Sequence, residues 1–174
     1  MGGDATVVDC LFFPDAEFYN RPYRKRDEEH EWLTLGTTFS RFLRFLHDAK
    51  ETLDICVFTI TCDEIAKEIE YVHKRGVKVR IITDDDKALD RGSDIFTLAE
   101  RGIEVKRDDS SFHMHNKFCV IDGVRVMTGS FNWTRSAVSS NQENVIVVDH
   151  KGTADKFTKE FEKLWSQFVP VKMD

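Results

Sequence analysis

His115-Asn116-Lys117-Phe118-Cys119-Val120-Ile121-Asp122-Gly123-Val124-Arg125-Val126-Met127-Thr128-Gly129-Ser130-Phe131-Asn132 is the stretch that decides how this chain folds. Two alternating apolar runs flank Asp122-Gly123, the strongest short-range signal for a β-hairpin. The spacing predicts strands over Lys117 to Ile121 and Val124 to Thr128. On an extended chain, side chains two apart share a face, so His115 and Lys117 point one way while Phe118 and Val120 point into a core. Gly129 ends the second strand, and Ser130 and Asn132 are again two apart. The turn therefore folds the Ser/Asn pair back beside the His/Lys pair. An imidazole acts as nucleophile or acid–base near neutral pH. An ammonium, a hydroxyl and an amide can hold phosphate oxygens around it. The stretch occurs once, so chemistry that needs two imidazoles requires a second chain.

Outward from the hairpin, the pattern predicts an α/β fold with a single mixed β-sheet flanked by helices. Thr6 to Phe13 reads as a first strand, and Pro14 to Trp32 as a charged, aromatic excursion. Phe39, Phe42, Leu43 and Leu46 recur at helical spacing between Leu35 and Ala49. Leu53 to Ile60 is short and β-branched enough for a buried strand. A helix follows with Asp63 as N-cap, Ile65, Ile69 and Val72 on one face, and Gly76 at its end. Val77 to Thr83 is the next strand. Gly92-Ser93 opens a short helix that stops at Gly102, and Ile103 to Lys106 is strand-like. Asn144 to Asp149 and an amphipathic helix bearing Phe157, Phe161, Leu164, Trp165 and Phe168 complete the chain. With 174 residues, 41% of them hydrophobic, and no repeat, residues 1–174 are expected to form one domain.

Composition narrows the setting. No stretch approaches the length of a membrane span, and no targeting segment or anchor is visible, so the chain reads as a soluble domain. Cys10, Cys56, Cys62 and Cys119 form no CxxC pair, and buried free thiols in a reducing compartment are the better reading. The net charge of −6 argues against a nonspecific nucleic-acid coat. Two basic islands stand out, one holding Arg24, Lys25 and Arg26, the other Lys74 and Arg75. Each is either solvated surface charge or one wall of a phosphate-tracking groove.

The six fixed residues His115, Lys117, Asp122, Gly129, Ser130 and Asn132 match HxK(x)4D(x)6GSxN throughout, so the stretch resembles the signature of the phospholipase D superfamily. Leu11-Phe12-Phe13-Pro14, Gly92-Ser93, His113-Met114-His115, Asn132-Trp133-Thr134 and Phe161 to Phe168 are similar to the Zucchini/mitochondrial cardiolipin hydrolase branch. Single-motif bacterial Nuc-type endonucleases, which build their site across a dimer, are also similar. Animal members of the branch carry a Cys/His zinc finger after the first strand. Here the excursion over residues 14–32 has His30 and no cysteine, so no metal ligand set is assigned.

The resemblance implies a cofactor-free phosphodiesterase. His115 would form a phosphohistidine, and His115 of a second copy would protonate the leaving oxygen. Lys117, Ser130 and Asn132 would stabilise the non-bridging oxygens, with Gly129 beside them. Glu143 falls where the family places a carboxylate that orients the histidine, and Asp122 is better viewed as structural. His113 would either touch substrate or sit satisfied at the rim. Asp84, Asp85 and Asp86 read as a solvated strand-end loop rather than a metal site. A homodimer acting on single-stranded nucleic acid, RNA above DNA, as in piRNA maturation, is the first expectation. An anionic phospholipid such as cardiolipin is the second, and a silent nucleic-acid or membrane adaptor the third. The resemblance also implies the mitochondrial outer membrane, facing the cytosol.

Overall fold

The computed structural model describes residues 3–20, 30–84 and 93–172. Strands β1 (Thr6–Phe13), β2 (Thr52–Val57), β4 (Lys78–Thr83), β5 (Glu104–Arg107), β6 (Lys117–Ile121), β7 (Arg125–Gly129), β9 (Glu143–Asp149) and β10 (Val169–Pro170) form one sheet in the order β1-β9-β7-β6-β2-β4-β5-β10. The pairs β2/β4 and β4/β5 are parallel, and the remaining pairs antiparallel. The sheet is mixed, as the pattern predicts. A two-stranded parallel ribbon of β3 (Ile60–Thr61) and β8 (Trp133–Thr134) stands apart from it.

The run Leu53 to Ile60 is not one strand. The chain leaves the main sheet after Val57, and the Phe58 carbonyl accepts from Asp84 N at 3.2 Å and from Thr83 Oγ1 at 2.8 Å. Those bonds pin the break, and the chain resumes as β3 beside β8.

Helices α1 (Ala16–Asn20), α2 (Thr38–His47), α3 (Asp63–Lys74), α4 (Asp94–Glu100), α5 (Arg135–Ser139) and α6 (Lys151–Gln167) accompany the sheet. The start of α2 is set by Thr37, whose hydroxyl accepts from Ser40 N, and that of α4 by Ser93, which accepts from Phe96 N. The N-cap of α3 is Cys62 rather than Asp63, with no side-chain cap; Asp63 instead lies in the first turn, where its charge suits the helix dipole. Gly76 takes φ +100 past the end of α3, and Val77 N bonds back to Val72 O, the signature of a left-handed helix stop.

One sheet face carries Leu11, Leu53, Ile55, Ile81, Cys119, Ile121, Met127 and Val147, packed against Phe39, Phe42, Leu43, Leu46, Ile65, Ile69 and Val72 of α2 and α3. The other face carries Cys56, Ile82, Phe118, Val120 and Val126 beneath Phe157 and Phe161 of α6. Strand β6 is thus buried on both sides, which is why its residues 118–121 are all apolar. Burying Phe161 alone contributes roughly 1.5–3 kcal/mol. Arg80 locks α6 in register: it holds Asp54 through two bonds of 2.9 and 3.0 Å, reaches Glu162 at 2.6 Å, and lies over the Phe161 ring.

Candidate active site

The hairpin folds as the spacing predicts, with one addition. Ile121 pairs with Arg125, so the loop holds three residues, Asp122, Gly123 and Val124. Asp122 and Gly123 adopt φ of 55 and 66. Only a left-handed step makes this reversal, and Asp tolerates it better than most residues.

At the open end of the hairpin, His115 leads into β6 in an extended segment and Lys117 begins the strand. Lys117 Nζ lies 3.2 Å from His115 Nδ1 and donates to the His115 carbonyl at 3.0 Å. Burial pushes the Lys117 ammonium below the usual lysine range, with the charge of Glu143 opposing the shift. Gly129 closes β7, and a β-carbon there would lie 2.0 Å from the Asn144 carbonyl. That approach lets Ser130 N bond to Asn144 O at 3.0 Å and places Ser130 beside the motif. The Ser130 hydroxyl donates to Glu143 Oε2 at 2.5 Å and accepts from Asn144 N at 3.1 Å. The carboxamide oxygen of Asn132 is buried without a hydrogen-bond partner, an arrangement that costs roughly 1–3 kcal/mol unless something arrives to satisfy it.

His115, Lys117, Gly129, Ser130 and Asn132 together line one open cleft of about 720 Å³, joined by Lys156, Phe157 and Glu160 of α6. Convergence of the His/Lys and Ser/Asn pairs is therefore as expected. Glu143 departs from expectation: within one chain it holds Ser130 rather than His115, because β9 pairs with β7 and delivers the carboxylate to the serine side.

The basic islands contribute differently. Lys74 and Arg75 end α3, near the start of β2 and β4, whereas Lys117 pairs with Val57 at the finish of β2. Lys74 pairs with Glu70, and Arg75 donates to the carbonyls of His47 and Ala49. They act at the opposite end of the sheet from the cleft, and the structure corrects their assignment as a groove wall. Arg24, Lys25 and Arg26 lie outside the described residues, as do Asp85, Asp86 and Gly92.

Asp84 is also corrected. It is 1% exposed, not solvated. One carboxylate oxygen accepts from Met114 N at 2.8 Å, and the other meets His113 Nδ1 at 3.0 Å. It thus clips the segment that delivers His115, while the Phe58 ring packs against both His113 and His115. His113 stands at the rim, 60% exposed. The signal that could have found Asp84 is positional: in open α/β sheets, sites form at the carboxyl ends of parallel strands, and Asp84 directly follows β4. Lys156 carried no comparable signal, being one of several charges on the polar side of α6.

Comparison with known proteins agrees with this geometry. Residues 42–165 match the family model described as "Cardiolipin synthase, PLD-like domain". A mitochondrial cardiolipin hydrolase of Chlamydomonas reinhardtii is 45% identical over 166 residues, covering 93% of this chain and 74% of that protein. The mitochondrial cardiolipin hydrolase of Homo sapiens is 38% identical over 136 residues, 78% of this chain and 54% of its own length. This chain therefore spans about half of the human relative. Among solved structures, the phospholipase D family member Nuc of Salmonella typhimurium superposes with a TM-score of 0.77 at 25% identity, covering 98% of this chain and all of that one. The matched fold, the intact signature and the converged cleft agree: this chain belongs to the phospholipase D-like family.

Proposed function

We propose that the chain is a phosphodiesterase working through a phosphohistidine on His115, with two copies pairing to complete the site. The observation that carries this reading is the convergence of His115, Lys117, Ser130 and Asn132 on one open cleft that contains a single imidazole nucleophile. His115 Nε2 attacks phosphorus; an N–P bond forms as the P–O bond to the leaving group breaks. His115 of the second copy, protonated, gives its proton to the departing oxygen. It then takes a proton from water, whose oxygen bonds to phosphorus and releases the first imidazole. Lys117, Ser130 and Asn132 hold the non-bridging oxygens throughout.

The single chain is poised but incomplete for this. For Nε2 to attack, Nδ1 must carry the ring proton and donate a hydrogen bond with it to an acceptor. Here Nδ1 faces the Lys117 ammonium. Glu143, whose charge reaches Lys117, is the carboxylate we assign to that task once Ser130 turns its hydroxyl to phosphate. A surface for pairing lies beside it. Cys10, Ile146, Thr128, Phe118 and Cys56 are paired strand to strand and so share one sheet face. Helix α6 covers that face over Cys56 and Phe118 but leaves Cys10, Phe12 and Ile146 exposed. An active monomer in sedimentation would refute the pairing.

For substrate, we favour single-stranded nucleic acid, RNA above DNA. The cleft is open and bears Lys117 and Lys156 with Glu160 among its walls, and its two ammonium groups suit a flexible phosphate backbone. A lipid phosphodiester such as cardiolipin, met at the mitochondrial surface, is the second reading. The names of the relatives and one local feature favour it: Phe112, three residues before His115 in the chain, is 81% exposed and offers an apolar contact. Labelled single-stranded RNA, single-stranded DNA and cardiolipin vesicles, compared with His115→Ala as control, separate the readings. Cleavage of vesicles alone would reject the nuclease assignment. An adaptor role would require all three substrates to remain intact.

A further inference from the structure

Away from the cleft, three side chains from separate elements meet at one point. His30 precedes the 3-10 turn Glu31–Thr34, His47 ends α2, and Glu68 lies within α3. His30 Nδ1 is 2.6 Å from Glu68 Oε1, and His47 Nδ1 is 2.8 Å from Oε2. The three potential ligand atoms lie within 4.8 Å of one another. Glu68 is fully buried, whereas the two imidazoles are 16% and 19% exposed.

The surroundings hold these groups in place. Tyr71 packs against both rings, stacked on His47 at 4.5 Å and tilted to His30 at 4.4 Å. Trp32 Nε1 donates to Glu68 Oε1 at 2.8 Å. The nearby cations are turned to other tasks: Lys67 lies over the Trp32 ring, and Arg75 lies over Tyr71 while donating to backbone carbonyls. Among the described residues, the ion pairs of Glu68 are those to His30 and His47. A buried carboxylate requires compensating charge.

We propose that His30 Nδ1, His47 Nδ1 and the Glu68 carboxylate form a zinc site that clamps the His30–Thr34 segment to α2 and α3. Two imidazoles and one carboxylate suit a borderline cation such as Zn²⁺, whereas Mg²⁺ and Ca²⁺ favour oxygen ligands throughout. On binding, each Nδ1 supplies its lone pair and the ring proton resides on Nε2. Ligands held 2.0–2.1 Å from one tetrahedral ion stand roughly 3.3 Å apart, so each His–Glu contact opens by roughly half an ångström. Both rings are partly exposed, which connects the site to solvent, and water would serve as the fourth ligand. His47 leads toward the start of β2, while Lys117 pairs with its last residue, Val57, so the site serves stability rather than the cleft chemistry.

The test uses the full chain, dialysed against chelator and then titrated with Zn²⁺ by calorimetry and with Co²⁺ by visible absorption. The expected result is one ion per chain, tetrahedral Co²⁺ bands, and a melting temperature raised by Zn²⁺. His30→Gln and His47→Gln, at partly exposed rings that tolerate the change, should each weaken binding roughly 100-fold or more and abolish the Zn²⁺-dependent rise. Acid should weaken binding as protons compete for the imidazoles. His115→Ala should bind Zn²⁺ as the parent does. Absence of stoichiometric binding by the parent chain, or unchanged binding by the His30→Gln/His47→Gln double variant, would overturn the assignment.

Discussion

The two ends of the β6–β7 hairpin carry the same signature and do opposite things. At the turn, the Asp122 carboxylate and backbone amide are both engaged. The Asp122 carboxylate accepts from the amides of Lys50, Glu51 and Thr52, the closest at 2.7 Å, and Asp122 N donates to Thr52 O. Arg125, next to the turn, grips Asp149 through two bonds of 2.6 and 2.8 Å. At the other end, His115 is exposed, the Asn132 oxygen is unsatisfied, and the Ser130 hydroxyl donates to Glu143. A closed end fixes the register of the strands, and an open end presents unsatisfied groups to a ligand. One motif therefore encodes both a scaffold and a site.

The sharpest way to break this division is to truncate a residue at each end. His115→Ala should lower turnover by more than about 10⁴-fold, since it removes the attacking atom. Its melting temperature should stay near that of the parent, because the side chain is exposed. Substantial residual cleavage would remove His115 from the nucleophile role. Asp84→Ala tests the support of the open end. It leaves Met114 N without its acceptor and frees the segment carrying His115. Turnover should fall roughly 100-fold, as expected of a reacting group displaced by about 1 Å. Stability should fall by roughly 1–3 kcal/mol from the unsatisfied amide. Asp84→Asn keeps an oxygen for Met114 N and should recover most of the stability. Unchanged kcat in Asp84→Ala would make the clip merely architectural.

Asp122→Ala is the mirror experiment. Three amides lose their acceptor, and alanine must hold a left-handed φ, together about 2–3 kcal/mol. For a chain of this size the melting temperature should drop by roughly 4–12 °C. Well below that temperature kcat should match the parent. A loss of kcat in a fully folded Asp122→Ala protein would erase the distinction between the two ends.

The sequence made the closed end and the convergence of the open end readable for one physical reason: both are short-range. Asp122-Gly123 specifies its own turn, and the parity of His115, Lys117, Ser130 and Asn132 follows from strand geometry. What escaped was set by strand order. Glu143 meets Ser130 because β9 lies beside β7, and Asp84 reaches Met114 because the main sheet breaks after Val57. For Lys74 and Arg75 the sequence leaves two readings open, solvated charge or groove wall, and the sheet decides against the groove by placing the end of α3 away from the cleft. The His30–His47–Glu68 cluster was invisible for the same reason, its members coming from three elements with no common motif. Composition pointed to buried thiols, and Cys56, Cys62 and Cys119 are buried while Cys10, on the edge strand β1, is exposed; burial pushes Cys56 and Cys62 up to about 12.

The smallest effect probes the charge state of the two ends. Arg125 at the closed end is held above the ordinary arginine value by its bonds to Asp149, so its charge persists throughout the accessible range. Lys117 at the open end is shifted down by burial, from an ordinary value of 10.5. A lowered lysine loses its proton as pH rises, earlier than a free lysine would. If the ammonium is required to hold phosphate oxygens, kcat/KM, which reports on the free enzyme, must fall along an alkaline limb that begins below 10.5. Lys117→Arg keeps a charge that cannot be titrated in this range but exchanges a point charge for a planar fork. It should therefore lower kcat/KM at neutral pH while flattening the limb. A limb that survives in Lys117→Arg would belong to another group. A parent profile flat to 10.5 would mean that the open end keeps its charge as securely as the closed one.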